Sequence, residues 1–227
     1  MTDIHTHILP GIDDGSKSIE ETSKMLDLMK ADGVNTVVAT PHFYNEISVD
    51  EFCGKREESF NSLKDILDGS VDVRLGAEVA LEYGLHKVPG LGRLAIEGSG
   101  HMLIEPPYSK WDSWVYDELF KIAAKFGVDI IIAHAERFRR FNSIDKIERL
   151  KEMDFRIQVN VDDLGTLFRK SDAVDLMKRG LVDFIASDCH NTETRKPNLG
   201  AAYKKISSKI GSGYAERMMK NAEKMLG

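Results

Sequence analysis

Residues 3–15 read DIHTHILPGIDDG, with His5 and His7 two positions apart and the paired acids Asp13 and Asp14 close behind. The same residue types return along the chain: His42 in TPHF, Glu78 in GAE, Glu105 in LIEPP, His134 in AHAERF, and Asp188 with His190 in SDCHN. Imidazole nitrogens and carboxylate oxygens are ligands for divalent cations, and such a cluster without a cation would leave polar groups buried and unpaired. The candidate ligands are His5, His7, Asp14, His42, Glu78, Glu105, His134, Asp188 and His190. One ion that keeps an open position needs only three or four protein ligands, so this set implies two or three ions with a bridging carboxylate; three is the expectation. Four carboxylates against three dications leave a local excess of about two positive charges, which suits a dianion such as phosphate. Imidazole and carboxylate without thiolate are compatible with Mn²⁺, Fe²⁺ or Zn²⁺, and affinity order alone does not choose among them.

Arg137, in AHAERF, and Arg195, in DCHNTETR, stand a few residues beyond His134 and His190, so both loops can return a guanidinium to the same place. Planar, bidentate arginine is suited to phosphate oxygens; the competing expectation is pairing with Glu136 or Glu193. Cys189 and Arg195 also form a Cys-x5-Arg pattern, the minimum for a cysteine-dependent tyrosine phosphatase. That loop wraps phosphate with backbone N–H groups and needs glycine and a low-pKa thiolate. CHNTETR has no glycine, and strand alternation turns Cys189 away from Asp188 and His190, so it reads as a packing residue. His86, His101 and Cys53 read as structural, and Asp13 reads first as a turn residue in DDG.

The elements that must hold these residues are short β-rich runs at 2–8, 35–43, 71–79, 101–107, 128–134, 156–161 and 182–188. Stretches of helical spacing separate them, as in Ile19, Met25, Leu26 and Met29, in Phe60, Leu63, Ile66 and Leu67, and in Leu119, Ile122, Ala123 and Phe126. Ser18 with Glu21 forms a capping-box pattern, and Gly33 and Gly127 are placed as helix stops. Strands alternating with helices, several of them wholly apolar, predict an α/β fold with a parallel sheet closed into a distorted seven-stranded (β/α)7 barrel resembling a TIM barrel. Functional groups of such barrels sit where strands run into the following loops, and the candidate ligands fall there. Residues at i and i+2 share a strand face, so His5/His7 and Asp188/His190 can each aim as a pair into one mouth. Only the sixth strand, ending near Asn160, offers no ligand.

A chain of 227 residues without linker-like or low-complexity stretches predicts one domain spanning 1–227. A net charge of −6 gives no nucleic-acid surface, no run is long and apolar enough to enter a membrane, and no leader pattern opens the chain. Two cysteines are too few for a disulfide framework and fit a reducing, cytoplasmic setting.

The ordered elements DIHTHILPGIDDG, TPHF, GAE, LIEPP, AHAERF and SDCHN resemble the polymerase and histidinol phosphatase superfamily, from residue 3 to about 203. Within it, HILPGIDDGSKS, AHAERF and SDCHNTETRKP look most like the bacterial manganese-dependent protein-tyrosine phosphatases of capsule and exopolysaccharide synthesis. The resemblance implies a trinuclear centre: His5, His7, Glu78 and Asp188 at one ion, Glu78, Glu105 and His134 at a second, Asp14, His42 and His190 at a third, with Glu78 bridging. Asp14 stands where other superfamily members can carry histidine, which points to the tyrosine-phosphatase branch. Ala135 replaces a common proline and Cys189 a small residue without loss of a ligand, and Pro106-Pro107 replaces an aromatic-proline pair. The implied activity is hydrolysis of phosphotyrosine by metal-activated water, aided by Arg137 and Arg195, with an autophosphorylating tyrosine kinase as partner. A small-molecule phosphatase, such as one acting on histidinol phosphate, and a non-catalytic metal-binding regulatory module are the alternatives.

Overall fold

The computed structural model describes residues 1–164 and 171–227. Among these residues the strands are β1 (Thr2–Thr6), β2 (Thr36–Ala39), β3 (His42–Phe43), β4 (Asp72–Leu75), β5 (Glu78–Ala80), β6 (His101–Glu105), β7 (Asp129–Ile132), β8 (Arg156–Asn160) and β9 (Phe184–Ala186). The α-helices are α1 (Ile19–Ala31), α2 (Val49–Asn61), α3 (Ser113–Phe126), α4 (Ile144–Glu152), α5 (Asp172–Lys178), α6 (Leu199–Lys209) and α7 (Ser212–Leu226). Every paired strand is parallel, in a three-stranded sheet ordered β1-β2-β4 and a six-stranded sheet ordered β3-β5-β6-β7-β8-β9.

This differs from seven unbroken strands, because the runs 35–43 and 71–79 each divide in two. The first breaks at Pro41, which has no N–H for the ladder, and the second at Gly76, which weakens a strand interior. Backbone bonds cross both breaks, from Gly76 N to the Ala39 oxygen at 2.9 Å and from Glu78 N to the Pro41 oxygen at 3.1 Å. The six-stranded sheet curls as a half-barrel, and its far edge returns to β1: Asp188 N donates to the His5 oxygen and His7 N to the Cys189 oxygen, each at 2.9 Å.

The curl shows in the core. Ile4, Val38, Leu103, Ile131 and Ala186, from β1, β2, β6, β7 and β9, meet in one buried interior cluster. Their neighbours Val37, Ala39, Met102, Ile104, Ile130 and Ile132 face the opposite way, into the helix layer. Strands buried on both faces read as continuous apolar runs because neither side of the pleat meets water. Ala222 and Met225 of α7 close the interior at the end where the strands begin.

Ser18 caps α1 by accepting from Glu21 N, while Glu21 returns its carboxylate to Lys17 N rather than to Ser18. Gly33 and Gly127 take the left-handed conformation just past α1 and as the C-cap of α3. Two helical readings differ from the sequence pattern. Ile19 is 37 % exposed at the first turn of α1. The helix expected through Leu67 ends at Asn61, after which shorter i to i−3 bonds take over, yet Leu63 is still buried. Among the described residues, no helix is long and apolar enough to cross a membrane.

Candidate metal centre

All nine candidate ligands gather where the strands run out, but fewer of them end strands than alternation suggests. Glu105 is the last residue of β6, whereas His42 and Glu78 open β3 and β5. His7, His134, Asp188 and His190 lie beyond their strands. Among the described non-glycine residues, positive φ occurs only at His134 (29°), Asp188 (51°) and Asp154 (63°). Two of these three are candidate ligands, so the turns leaving β7 and β9 hold sparsely populated backbone conformations that the surrounding packing must enforce. Gly15 supplies the matching close approach: a Cβ there would collide with the backbone oxygen and Cβ of His7.

Glu78 stands at the middle. Its Oε2 lies 3.2 Å from His5 Nε2, 3.4 Å from His7 Nε2 and 3.0 Å from His42 Nδ1, and its Oε1 lies 2.7 Å from His134 Nε2. Glu105 approaches His134 Nε2 at 3.3 Å. Asp188 Oδ1 is 3.4 Å from His5 Nε2 and 3.3 Å from His7 Nε2. Asp14, far more exposed than the rest, reaches both His42 Nε2 at 3.3 Å and His190 Nε2 at 3.4 Å. Three sets of ligand atoms are close enough to share an ion: His7, Asp14, His42 and His190; His5, His7 and Asp188; and His42, Glu78 and Glu105. Every candidate except His134 belongs to one of these sets, and His134 touches both acids of the last.

The electrostatics call for cations. Burial favours neutral carboxyls, yet His5, His134 and His42 hold Glu78 well below the usual carboxylate range, and His5 and His7 do the same for Asp188. Burial also disfavours imidazolium, but the bond to Asp13 and the nearby carboxylates of Asp188 and Glu78 hold His7 well above its ordinary value. Bonds to Glu105 and Glu78 likewise outweigh burial and push His134 up to about 10. These acids draw positive charge, which a proton or a metal ion would supply, whereas burial and the charge of His7 push His190 down to about 4. Glu78 Oε2, Asp188 Oδ1 and His190 Nε2 are buried without a hydrogen-bond partner. Orphaned donor atoms converging in one place fit divalent ions bound by nitrogen and oxygen.

Around this cluster, residues that the sequence did not offer as ligands fix the ligands that it did. Asp13 Oδ2 sits 2.7 Å from His7 Nδ1 and accepts from His42 N, while its Oδ1 accepts from Gly15 N. It is therefore both a turn residue and the partner that turns His7 Nε2 towards the centre. Gln158 Oε1 lies 3.3 Å from His5 Nδ1 and accepts from His134 N at 2.8 Å. Its amide nitrogen donates to Asn160 Oδ1, and Asn160 in turn donates to Asp188 Oδ2 at 2.6 Å. The sixth run, without a ligand of its own, thus carries the orienting amides at i and i+2 of β8; uncharged polar residues inside an apolar strand were the available signal.

Arg137 and Arg195 converge on that same oxygen, with Nη2 of each within 2.8 Å and 2.7 Å of Asp188 Oδ2. Asp188 is therefore divided, one oxygen facing the histidines and the other holding both guanidiniums. Pairing with Glu136 or Glu193 is not seen for either arginine among the described contacts. Asn191 shapes the second loop, its Oδ1 accepting from the backbone N–H groups of Glu193, Thr194 and Arg195. Cys189 is fully buried in the helix-facing core, and burial holds its thiol well above the ordinary cysteine value. His86 pairs with Glu118 at 2.6 Å, and His101 with the Ser99 oxygen at 2.8 Å, both outside the cluster.

Two half-exposed tyrosines border the centre. The Tyr44 ring stacks on His42 with centroids 5.6 Å apart, and the Tyr108 ring on His134 at 6.2 Å. Tyr108 Oη is 3.4 Å from Arg137 Nη1, beside a cavity of about 450 Å³ that Glu136 and Arg140 also line.

The whole chain, residues 1–227, matches the family described as capsular polysaccharide synthesis, CpsB/CapC. It is 26 % identical to the tyrosine-protein phosphatase YwqE of Bacillus subtilis, covering 100 % of this chain and 91 % of that protein. It is 29 % identical to the tyrosine-protein phosphatase CpsB of Streptococcus pneumoniae, covering 96 % and 94 %. Among solved structures, one from the crystallography of YwqE and CpsB, described as unique metal-dependent tyrosine phosphatases, superposes with a TM-score of 0.86 at 25 % identity. That superposition covers 100 % of this chain and 94 % of the other.

Proposed function

The chain belongs to the CpsB/CapC family of capsular polysaccharide synthesis, and from that premise we propose that it is a metal-dependent protein-tyrosine phosphatase regulating polysaccharide synthesis. The observation that carries this reading is Asp188, which places two guanidiniums beside a cluster of acids and imidazoles with orphaned donor atoms. An anion with several oxygens is the substrate that such a neighbourhood accommodates.

Three Mn²⁺ ions are proposed, held by His5, His7 and Asp188, by Glu78, Glu105 and His134, and by Asp14, His42 and His190, with Glu78 shared between the first two. When bound, such ions supply Lewis acidity towards phosphoryl oxygens and bring the pKa of water towards about 7. The protein's own contribution starts with Arg137 and Arg195, whose Nη2 atoms are held by Asp188 while other N–H groups are left to bond phosphoryl oxygens as charge develops on them. Asp13 is occupied by His7, His42 N and Gly15 N, so it positions the histidine rather than donating a proton to the leaving group. Phenolate departs readily enough for that donation to be dispensable.

The distorted seven-stranded barrel is proposed on a count that joins β2 with β3 and β4 with β5 as strands interrupted at Pro41 and Gly76. The proposal treats 1–227 as one domain, its helix-facing core cluster including residues from Ile8 to Met219. Two free, buried cysteines agree with a reducing cytoplasm, where an autophosphorylating tyrosine kinase is the proposed source of substrate.

Phosphate release from a phosphotyrosine peptide tests the reading in the Mn²⁺-loaded protein, the chelated protein and a Cys189→Ser variant. Chelation is expected to abolish turnover, re-added Mn²⁺ to restore it, and Cys189→Ser to retain it. Turnover that survives chelation and vanishes in Cys189→Ser would overturn the metal mechanism.

A further inference from the structure

We infer that Tyr44 and Tyr108 are specificity-determining residues, forming an aromatic mouth that binds the phenyl ring of an aryl phosphate and so favours aryl over alkyl phosphate esters. The inference rests on the phosphatase reading and names what that site selects.

Both rings are large, apolar and about half exposed, at 47 % and 45 %, although each packs on an imidazole at the edge of a buried cluster. They come from different loops: Tyr44 two residues after His42 at the start of β3, and Tyr108 three residues after the end of β6. His42 and His134 engage the two oxygens of the one Glu78 carboxylate, Oε2 and Oε1, so the two tyrosines stacked on them border the same cluster. Tyr108 is braced from behind by Phe138, with centroids 5.1 Å apart, and its hydroxyl touches Arg137.

A phosphate seated on the arginines and the cluster has its ester oxygen directed outward between these walls. In phosphotyrosine the ring begins at that oxygen and reaches the aromatic border made by Tyr44 and Tyr108; in phosphoserine a single methylene occupies the same space. Offset or edge-to-face aromatic contacts then add affinity only for the aryl ester. The tyrosine rings are fixed before substrate arrives, so little ordering is needed to make the contact.

Leaving-group chemistry also favours aryl esters, so the test compares binding. Phenylphosphonate and methylphosphonate are used as competitive inhibitors of the Mn²⁺-loaded protein hydrolysing phosphotyrosine. Tyr108→Ala and Tyr44→Ala are each expected to weaken phenylphosphonate about tenfold relative to methylphosphonate. Tyr108→Phe and Tyr44→Phe, which keep the ring, should preserve the wild-type ratio, and Tyr108→Leu replaces the alanine variant if the latter does not fold. Alanine variants that leave the inhibitor ratio at its wild-type value would overturn the aromatic mouth while leaving the phosphatase reading standing. Loss of the ratio in the phenylalanine variants would overturn it too, assigning the effect to the hydroxyl. A wild-type protein that hydrolyses no phosphate ester with metal bound would instead defeat the reading beneath it.

Discussion

On the α7 side, Ile4, Leu103 and Ile131 meet Ala222 and Met225 in an interior built from aliphatic side chains. On the loop side, His5, His7, Glu78, His134 and Asp188 are equally buried, yet donor atoms of Glu78 and Asp188 lack hydrogen-bond partners. Burial is thus common to the two ends, and satisfaction is not. The apolar end gains from every contact it closes. The polar end holds left-handed backbone at His134 and Asp188, a strain that costs stability and persists because the packed frame enforces it, beside carboxylate oxygens without a hydrogen bond. Stability is made at one end and spent on the candidate metal centre at the other.

The largest effect that can sharpen this contrast is expected at Asp188. Asp188→Asn keeps the shape but removes the charge that faces both His5 and His7 and holds Arg137 and Arg195. Phosphotyrosine hydrolysis per folded molecule should fall by about a thousandfold or more, because electrostatic positioning is lost while packing is kept. A variant that melts far below wild type but retains its turnover per folded molecule would break the contrast. Met225→Ala, in α7 at the opposite end, should do the reverse. It truncates a buried side chain of the interior, so urea unfolding should show a loss of about 2–5 kcal/mol, with kcat of the folded fraction unchanged.

Much of both ends could be read from the sequence, for different reasons. Apolar runs such as DIII in β7 declare strands buried on two faces, and histidines or acids at the ends of such runs declare a mouth. Tertiary pairing was harder to read. Pro41 and Gly76 split strands whose apolar pattern runs straight through, and periodicity past Asn61 continues although the helix does not. Alternation along ideal strands brings His134 and Asp188 to the strand ends, but the left-handed turns that carry them leave no mark in a pattern of two. Gln158 and Asn160 carry no charge to mark them in the sequence, yet their amides link β8 to His5 and Asp188.

Asp13→Asn tests that orienting layer at intermediate size. Removing the charge behind His7 weakens the preference that turns Nε2 towards the cluster, so Mn²⁺ affinity measured by titration calorimetry should fall about 10–100-fold. Turnover should recover at saturating Mn²⁺. Unchanged affinity would mean that Asp13 serves its turn alone, through Gly15 N, and that the polar end is less interdependent than its contacts suggest.

The smallest effect comes from an imidazole and a carboxylate that belong to neither end. Glu118 Oε1 accepts from His86 N at 2.7 Å and from His86 Nδ1 at 2.6 Å, a buried pair whose acceptor is used. Burial works to raise the Glu118 pKa, but the backbone and side-chain bonds from His86 outweigh it and leave it below the ordinary 4.5. A depressed carboxyl binds its proton less readily folded than unfolded, so its stabilising contribution is present above pH 4.5 and fades as pH falls through the folded value. Glu118→Gln should therefore unfold about 1 kcal/mol more easily at pH 7, and the gap from wild type should close below pH 4.5. Mn²⁺ affinity should not move. If the gap widened in acid, or if Mn²⁺ binding weakened, the residue types alone would be sufficient to make this pair part of the functional end. If neither occurs, what separates ligands from structural histidines is the surplus of unsatisfied acids around Glu78 and Asp188.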